Sequence, residues 1–136
     1  MKSINELRNF GEHYARAWCS QNPESVASFF AENGWLSVND SSPAIGRAAI
    51  ADIARQFMRD FPDMVVTMDD LTPEPDGAKF HWTLSGSNTG PGGPGKRVLI
   101  SGYELWQFDN DGLIERSKGH FDSAEYDRQI TEGVGD

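Results

Sequence analysis

The chain has 136 residues, a length typical of one domain with its own hydrophobic core. Its 12 basic and 21 acidic side chains give a net charge of −9, which disfavours binding to nucleic acids and to anionic membranes. The single cysteine excludes an intramolecular disulfide, and no segment has the pattern of a membrane span or a secretory signal. We therefore expect a cytoplasmic protein that folds as a single domain over residues 1–136.

The first part of the chain has the apolar periodicity of helices. Apolar side chains at helical spacing predict a first helix over about residues 3–20. Asn22 and Pro23 are typical of an N-cap followed by the first helical position, so a second, short helix is expected there. We expect this second helix to bury Phe30 and to end near Asn33-Gly34.

A short strand over 35–38 and a loop over 39–43 are expected to precede a third helix. This helix should begin near Gly46 and end at Pro62, since proline lacks the donor that a helix interior requires. Its apolar residues give the clearest periodicity in the chain. They are Ile50, Ile53, Ala54, Phe57, Met58 and Phe61.

The second part of the chain is strand-like. Strands are predicted over 64–71, 78–88, 98–108 and 113–121, separated by segments rich in Gly, Pro, Asn and Asp. A short helix is expected over 123–130. Helices followed by antiparallel strands are typical of an α+β fold.

Residues 90–96 (GPGGPGK) fit the first seven positions of a phosphate-binding P-loop. The eighth position, which should be Ser or Thr to hold magnesium, is Arg97. A helix should also follow directly, so that its N-terminal amides face the phosphate, but a strand is predicted there. The sequence therefore disfavours nucleotide binding.

Residues 109–112 (DNDG) resemble the start of a calcium-binding loop, but position 12 of that loop is His120 where a bidentate Glu is needed. A tight turn is the better interpretation. His13, His81 and His120 lack the spacing of a zinc site, so we predict no metal.

Several phrases in the chain resemble the nuclear-transport-factor-2-like superfamily. They are NPESVASFFAE at 22–32, GRAAI at 46–50 and WQFDNDGLIE at 106–115, while HFD at 120–122 resembles the ending of SnoaL-like polyketide cyclases and limonene-epoxide-hydrolase-like proteins. The resemblance implies a cone-shaped, curved antiparallel (mixed) sheet packed against three N-terminal helices around a central pocket, as in ketosteroid isomerases. It specifies the fold better than the activity, because this fold carries many functions.

The resemblance also implies candidate catalytic residues. Tyr14 matches the tyrosine that steroid isomerases use as an oxyanion donor, and Glu104 matches their protonated acid. Their base would fall at Val38, or at Asp40 with a small shift, while Asp122 matches the aspartate of SnoaL-like enzymes. The Asp-Arg-Asp trio of the epoxide hydrolases has no match on the 78–88 strand.

Each candidate also has a structural interpretation. Tyr14 lies on an apolar helical stripe and fits a core tyrosine. Glu104 shares its strand face with apolar residues, so it is either buried with a raised pKa or directed to solvent or to a partner. Asp122 begins a DSAE sequence typical of a helix cap. His120 could act as base or proton shuttle. It shares its strand face with Arg116 and Lys118, however, which favours a solvent-exposed position for its side chain.

A group of aromatic and histidine side chains is predicted to bind a ring-sized, hydrophobic ligand. We expect a cofactor-free isomerase, cyclase or dehydratase that acts on a polyketide, terpenoid or steroid-like carbonyl compound by general acid–base catalysis. Asp122 or His120 would be the base, and Tyr14 and Glu104 would stabilise the enolate oxygen. The alternatives are a non-catalytic binding module and a dimerisation module, and a homodimer is expected. The predicted substrate-binding residues are Trp18, Trp35, His81, Trp82, Trp106 and Phe121.

Overall fold

The structure is a computed structural model, and it describes residues 2–134. Within these residues the helices are predicted correctly in number and order, and the four strands after the third helix begin and end within about three residues of their predicted bounds, whereas the first strand is longer than the predicted 35–38. The elements in chain order are α1 (Ile4–Cys19), α2 (Pro23–Ala27), β1 (Phe30–Val38), β2 (Ala44–Ile45), α3 (Arg47–Asp60), β3 (Val65–Glu74), β4 (Gly77–Ser87), β5 (Arg97–Phe108), β6 (Ile114–Phe121) and α4 (Ser123–Glu132).

The strands form one open sheet in the order β2-β1-β6-β5-β4-β3. The β1–β6 pair is parallel and the other neighbours are antiparallel, so the sheet is mixed. Three helices precede the four long strands that follow one another in the chain. The α+β class predicted from the sequence is confirmed.

Helix α1 lies close against the sheet and carries Tyr14 into the core. Ser3 caps the helix by accepting a hydrogen bond from the Glu6 amide, and the Glu6 carboxylate accepts one from the Ser3 amide in return. At Gly11 a Cβ atom would lie only 2.6 Å from the Met68 sulfur, so glycine permits this close approach. The same face of α1 buries Tyr14 completely.

The boundary between α2 and β1 differs from the sequence prediction. Helix α2 ends at Ala27, so the prediction that it continues to Asn33-Gly34 is wrong. The physical reason is pairing with β6: the Ile114 amide donates to the Phe29 carbonyl at 2.9 Å, and Phe30 lies opposite Ile114. Backbone pairing with a distant strand therefore overrides the local helical pattern.

Alternation along β4 and β5 separates a concave face, covered by helices, from an outer face. Phe80 and Glu104 are paired across these strands and both are buried on the concave face. Their neighbours His81 and Tyr103 are also paired and lie on the outer face. Helix α4 packs along β5, where the Gln129 side-chain oxygen accepts the Leu99 amide at 2.7 Å.

The two phosphate- and calcium-like motifs form turns. Residues 90–96 lie in the loop between β4 and β5, and strand β5 follows directly where a P-loop would need a helix. In the β5–β6 turn, the Asp109 carboxylate accepts the amides of Asp111 and Leu113 at 2.9 and 3.0 Å. Gly112 supplies the positive φ of 80° that closes this turn.

Candidate functional site

A small apolar cavity lies between the concave face of the sheet and helices α1, α3 and α4. It has a volume of about 60 Å³ and is partly open to solvent. Aliphatic side chains from β1, α3, β3, β4 and β5 form part of its wall. Six aromatic side chains form most of the rest, and they are Trp18, Phe57, Phe80, Trp82, Phe121 and Tyr126.

Glu104 places a carboxyl group in this apolar wall. The alternation of β5 directs it to the concave face together with Ile100 and Trp106, and only 7% of it is exposed. Among the described residues that line the cavity, Glu104 is the only carboxylic acid. Ionising an acid in such a wall is costly. The hydrogen bonds to the carboxyl group therefore determine how readily it can carry a charge.

Three donors converge on one oxygen of this carboxyl group. Glu104 Oε1 accepts from Tyr14 Oη at 2.9 Å, from Trp106 Nε1 at 3.0 Å and from Ser117 Oγ at 2.7 Å. The Tyr14 hydroxyl also lies 3.2 Å from Oε2. All three donors are buried, so the carboxyl group is held in one orientation by α1, β5 and β6.

Burial sets the protonation behaviour of this network. Loss of hydration raises the pKa of Glu104 above its ordinary value, and the hydrogen bonds from Ser117, Trp106 and Tyr14 oppose this rise without cancelling it. The pKa of Tyr14 is raised well above its ordinary value, first by burial and then by the nearby charge of Glu104. Tyr14 therefore stays protonated and donates its hydrogen bond to Glu104.

Oε2 of Glu104 accepts fewer hydrogen bonds than Oε1, since its one donor among the described residues is the shared Tyr14 hydroxyl at 3.2 Å. The indole N–H of Trp106 can only donate, so Oε1 must act as an acceptor. Gly119 faces Glu104 across the β5–β6 pair without a side chain, and a Cβ atom there would lie 3.7 Å from Glu104 Cγ. The space above the carboxyl group is thus not filled by β6.

The two residues predicted as the base differ in their position relative to the cavity. Asp122 is exposed, accepts the Glu125 amide at 3.1 Å as the N-cap of α4, and is not among the residues that line the cavity. His120 borders the cavity, but its strand position directs the side chain to the outer face. There its ring lies 5.4 Å from the ring of Tyr103.

The predicted ligand-binding residues divide into three groups. Trp18, Trp82 and Phe121 line the cavity. Trp106 lies beneath the wall, stacked on Phe80 with ring centroids 4.8 Å apart. Trp35 and His81 have the opposite strand parity to their cavity-lining neighbours and are not among the lining residues.

Ser117 and Tyr126 are the main site residues that the sequence reasoning missed. Ser117 lies between Arg116 and Lys118 in β6. Strand alternation therefore places its side chain on the buried face of the sheet, opposite to theirs. That alternation was the available signal. Tyr126 comes from α4, and nothing in the local sequence indicates that this helix folds back over the cavity.

Within residues 2–134, no three His, Cys, Asp or Glu side chains are grouped so that they could hold a metal ion. No helix in this part of the chain has both the length and the apolar character needed to cross a membrane.

Comparison with solved structures identifies the same architecture in other proteins. TsrD from Streptomyces laurentii is 21% identical, with a TM-score of 0.82 over 96% of this chain and 98% of that one. A protein from Catenulispora acidiphila with a ketosteroid-isomerase-like fold, solved with trimethylamine, is 16% identical, with a TM-score of 0.79 over 95% of both chains. A phenazine biosynthesis-related protein from Pseudomonas aeruginosa is 18% identical, with a TM-score of 0.73 over 97% and 92%.

At these identities the solved structures establish the fold alone. No curated protein sequence matches the chain. The model of the SnoaL-like polyketide cyclase family matches residues 9–130, a range that contains every strand and the entire Glu104 network. The resemblance noted in the sequence is confirmed, and the chain belongs to the SnoaL-like polyketide cyclase family.

Proposed function

We propose that this protein binds a small hydrophobic carbonyl compound in the cavity and moves a proton next to the carbonyl group without a cofactor. The observation that carries the proposal is the buried carboxyl group of Glu104, which stands in the apolar wall with three donors on Oε1 and only the shared Tyr14 hydroxyl on Oε2. Membership of a cyclase family supports a small ligand at this position. The aromatic lining suits a ring compound of the polyketide, terpenoid or steroid-like kind, and a cavity of about 60 Å³ that is partly open to solvent would enclose only part of such a ligand.

In the proposed reaction, ionised Glu104 removes a proton from the carbon next to the carbonyl through Oε2. The electron pair of the broken C–H bond moves onto the carbonyl oxygen and gives an enolate. Protonated Glu104 then returns the proton to another carbon in an isomerisation, to a departing hydroxyl in a dehydration, or to the new alkoxide in an aldol cyclisation. A carboxyl group whose pKa is raised by burial suits this role in both directions.

This assignment changes the roles expected from the sequence. Tyr14, Trp106 and Ser117 become positioning residues, because they donate to Glu104 Oε1 and do not themselves line the cavity. We assign the base to Glu104 in place of Asp122 and His120, since it is the only carboxylic acid among the described lining residues. The loss of hydration that raises its pKa also strengthens it as a proton acceptor once it is ionised.

The test is hydrogen–deuterium exchange of 2-tetralone in D₂O, followed by NMR. This ring ketone has acidic protons next to its carbonyl, so exchange reports proton removal whatever the natural product is. We expect exchange above the buffer rate with the native protein and a loss of about 100-fold or more in Glu104→Gln. Glu115→Gln makes the same change at an exposed position of β6 and should exchange like the native protein. Equal exchange by Glu104→Gln would overturn the proposal.

A non-catalytic binding module is the second candidate. It is favoured by the scarcity of polar groups in the wall, where Glu104 stands alone as an acid among the described lining residues. It predicts saturable quenching of tryptophan fluorescence by 2-tetralone, through Trp18 and Trp82, with exchange at the buffer rate. The expected homodimer stays a prediction, which light scattering can check.

A further inference from the structure

The cavity combines an aromatic wall with a single acid. Six of its lining side chains are aromatic, and their π faces carry partial negative charge. Several of these rings are in contact, with Trp82 and Phe121 at 6.0 Å and Phe121 and Tyr126 at 5.4 Å between centroids. Such a cluster attracts an organic cation that comes within about 6 Å of a ring centroid.

The carboxylate of Glu104 has neutral partners only. Tyr14, Trp106 and Ser117 donate hydrogen bonds to it, but among the described residues no Lys or Arg lies within salt-bridge distance or lines the cavity. A buried negative charge without a positive partner is costly. A ligand that supplies the missing positive charge would therefore be stabilised by the acid and by the rings together.

We propose that the cavity also binds a small alkylammonium ion, with its positive charge facing Glu104 Oε2 and its methyl groups against the aromatic rings. Hydrated metal ions do not fit this chemistry, because they require several oxygen ligands and the wall supplies one carboxyl group. Anions are repelled by the carboxylate. The volume of about 60 Å³ favours a compact ion over a long-chain amine.

This second ligand class shares the cavity of the proposed function but does not depend on proton transfer. It requires the ionised form of Glu104, so binding should weaken as pH falls through the pKa of that group. Among the described residues, the other titratable groups that contact Glu104 or line the cavity with it are Tyr14, His120 and Tyr126. The side chains of Lys79, His81, Tyr103, Arg116 and Lys118, on the strands paired around Glu104, alternate to the outer face. Burial raises the pKa of Tyr126 to about 12, so it stays neutral, and the His120 side chain is on the outer face.

The experiment is calorimetric titration with tetramethylammonium chloride at ionic strength held constant with NaCl. The charge of this ion is independent of pH, so any pH dependence reports the protein. We expect saturable binding to the native protein and to Glu115→Gln, and binding weaker by about thirtyfold or more to Glu104→Gln. The two variants have the same net charge, so the comparison removes attraction by the acidic surface. tert-Butanol, a neutral molecule of similar size, should bind much more weakly.

Equal affinity of Glu104→Gln, or equal affinity for tert-butanol, would overturn the proposal. If circular dichroism shows that Glu104→Gln does not fold, the affinity of the native protein for tetramethylammonium is measured at several pH values instead. An affinity that does not change with pH is incompatible with a cation bound to Glu104. Failure here is distinct from failure of the proposed function. Ammonium binding without tetralone exchange contradicts only the proton-transfer reaction, and exchange without ammonium binding contradicts only this inference.

Discussion

Two acidic residues that the sequence places in the same predicted catalytic set have opposite environments. Glu104 lies in the middle of β5, almost fully buried, with three buried donors on one oxygen. Asp122 lies at the start of α4, exposed, with the Glu125 amide as its hydrogen-bond partner. The first has a raised pKa with burial as the largest cause, and the second serves the end of a helix.

The difference shows that the position of an acid relative to the sheet decides its environment. A mid-strand residue on the concave face is forced into the low-dielectric interior, where its protonation state responds strongly to neighbours. A residue at the junction of a strand and a helix can satisfy backbone amides at the surface. The two environments make different predictions for the same kind of substitution.

Truncation of Glu104 to alanine should give the largest loss of stability. It would leave the Trp106 indole N–H and the hydroxyls of Tyr14 and Ser117 buried without their shared acceptor. We expect the free energy of unfolding to fall by about 3 kcal/mol. Urea unfolding followed by tryptophan fluorescence measures this loss, and a cost below that of Asp122→Ala would contradict the network.

The stability contributed by Glu104 should depend on pH with a definite sign. Folding favours the protonated form because the folded pKa is raised, so the contribution is full below the ordinary value of 4.5 and is lost as pH rises through the folded pKa. The stability of the native protein relative to Glu104→Gln should therefore decrease as pH rises. Unfolding curves of both proteins at several pH values test this, and a difference that is constant or increases with pH would refute it.

Tyr14→Phe should have a smaller effect, since it removes one donor and keeps the ring. We expect a loss of about 1.5 kcal/mol in the free energy of unfolding. Because the hydroxyl lowers the pKa of Glu104, its removal should raise that pKa further. A Tyr14→Phe protein in which the carboxyl group titrates at an unchanged or lower pH would show that the hydrogen bond is not formed in solution.

Asp122 should give the smallest effects. Asp122→Ala removes the cap of α4 and should cost about 1 kcal/mol, whereas Asp122→Asn keeps a good capping side chain and should cost little. Both are measured by thermal or urea unfolding. A large loss of tetralone exchange in Asp122→Asn, with stability preserved, would return the catalytic role to this residue.

Features that depend on local periodicity could be predicted from the sequence, whereas features that depend on strand register could not. Long stretches with period 3.6 or 2 predicted the main helices and strands, and the parity of Glu104 with Trp106 left two interpretations open, a buried acid and an acid directed to solvent or to a partner. The contact between Glu104 and Ser117 requires the register of the β5–β6 pair, in which Trp106 lies opposite Ser117. That register depends on an irregularity near Phe108, which no local pattern reveals.

Two further features, the end of α2 and the role of Asp122, could not be predicted from the local sequence. The early end of α2 follows from pairing of Phe30 with Ile114, a contact between distant parts of the chain. The role of Asp122 was ambiguous because capping and catalysis use the same kind of side chain at a strand end. Only its exposure and its absence from the residues that line the cavity distinguish the two.

The most direct test of this account is the pKa of Glu104 itself. Carbon-detected NMR of the native protein, labelled with ¹³C at the glutamate carboxyl carbons, follows each group during a pH titration. Glu104→Gln assigns the signal by its disappearance. We predict that this signal titrates above the ordinary glutamate range and shifts when 2-tetralone is added. A Glu104 signal that titrates at or below 4.5 and does not respond to the ketone would contradict the buried proton-transfer group on which the account depends.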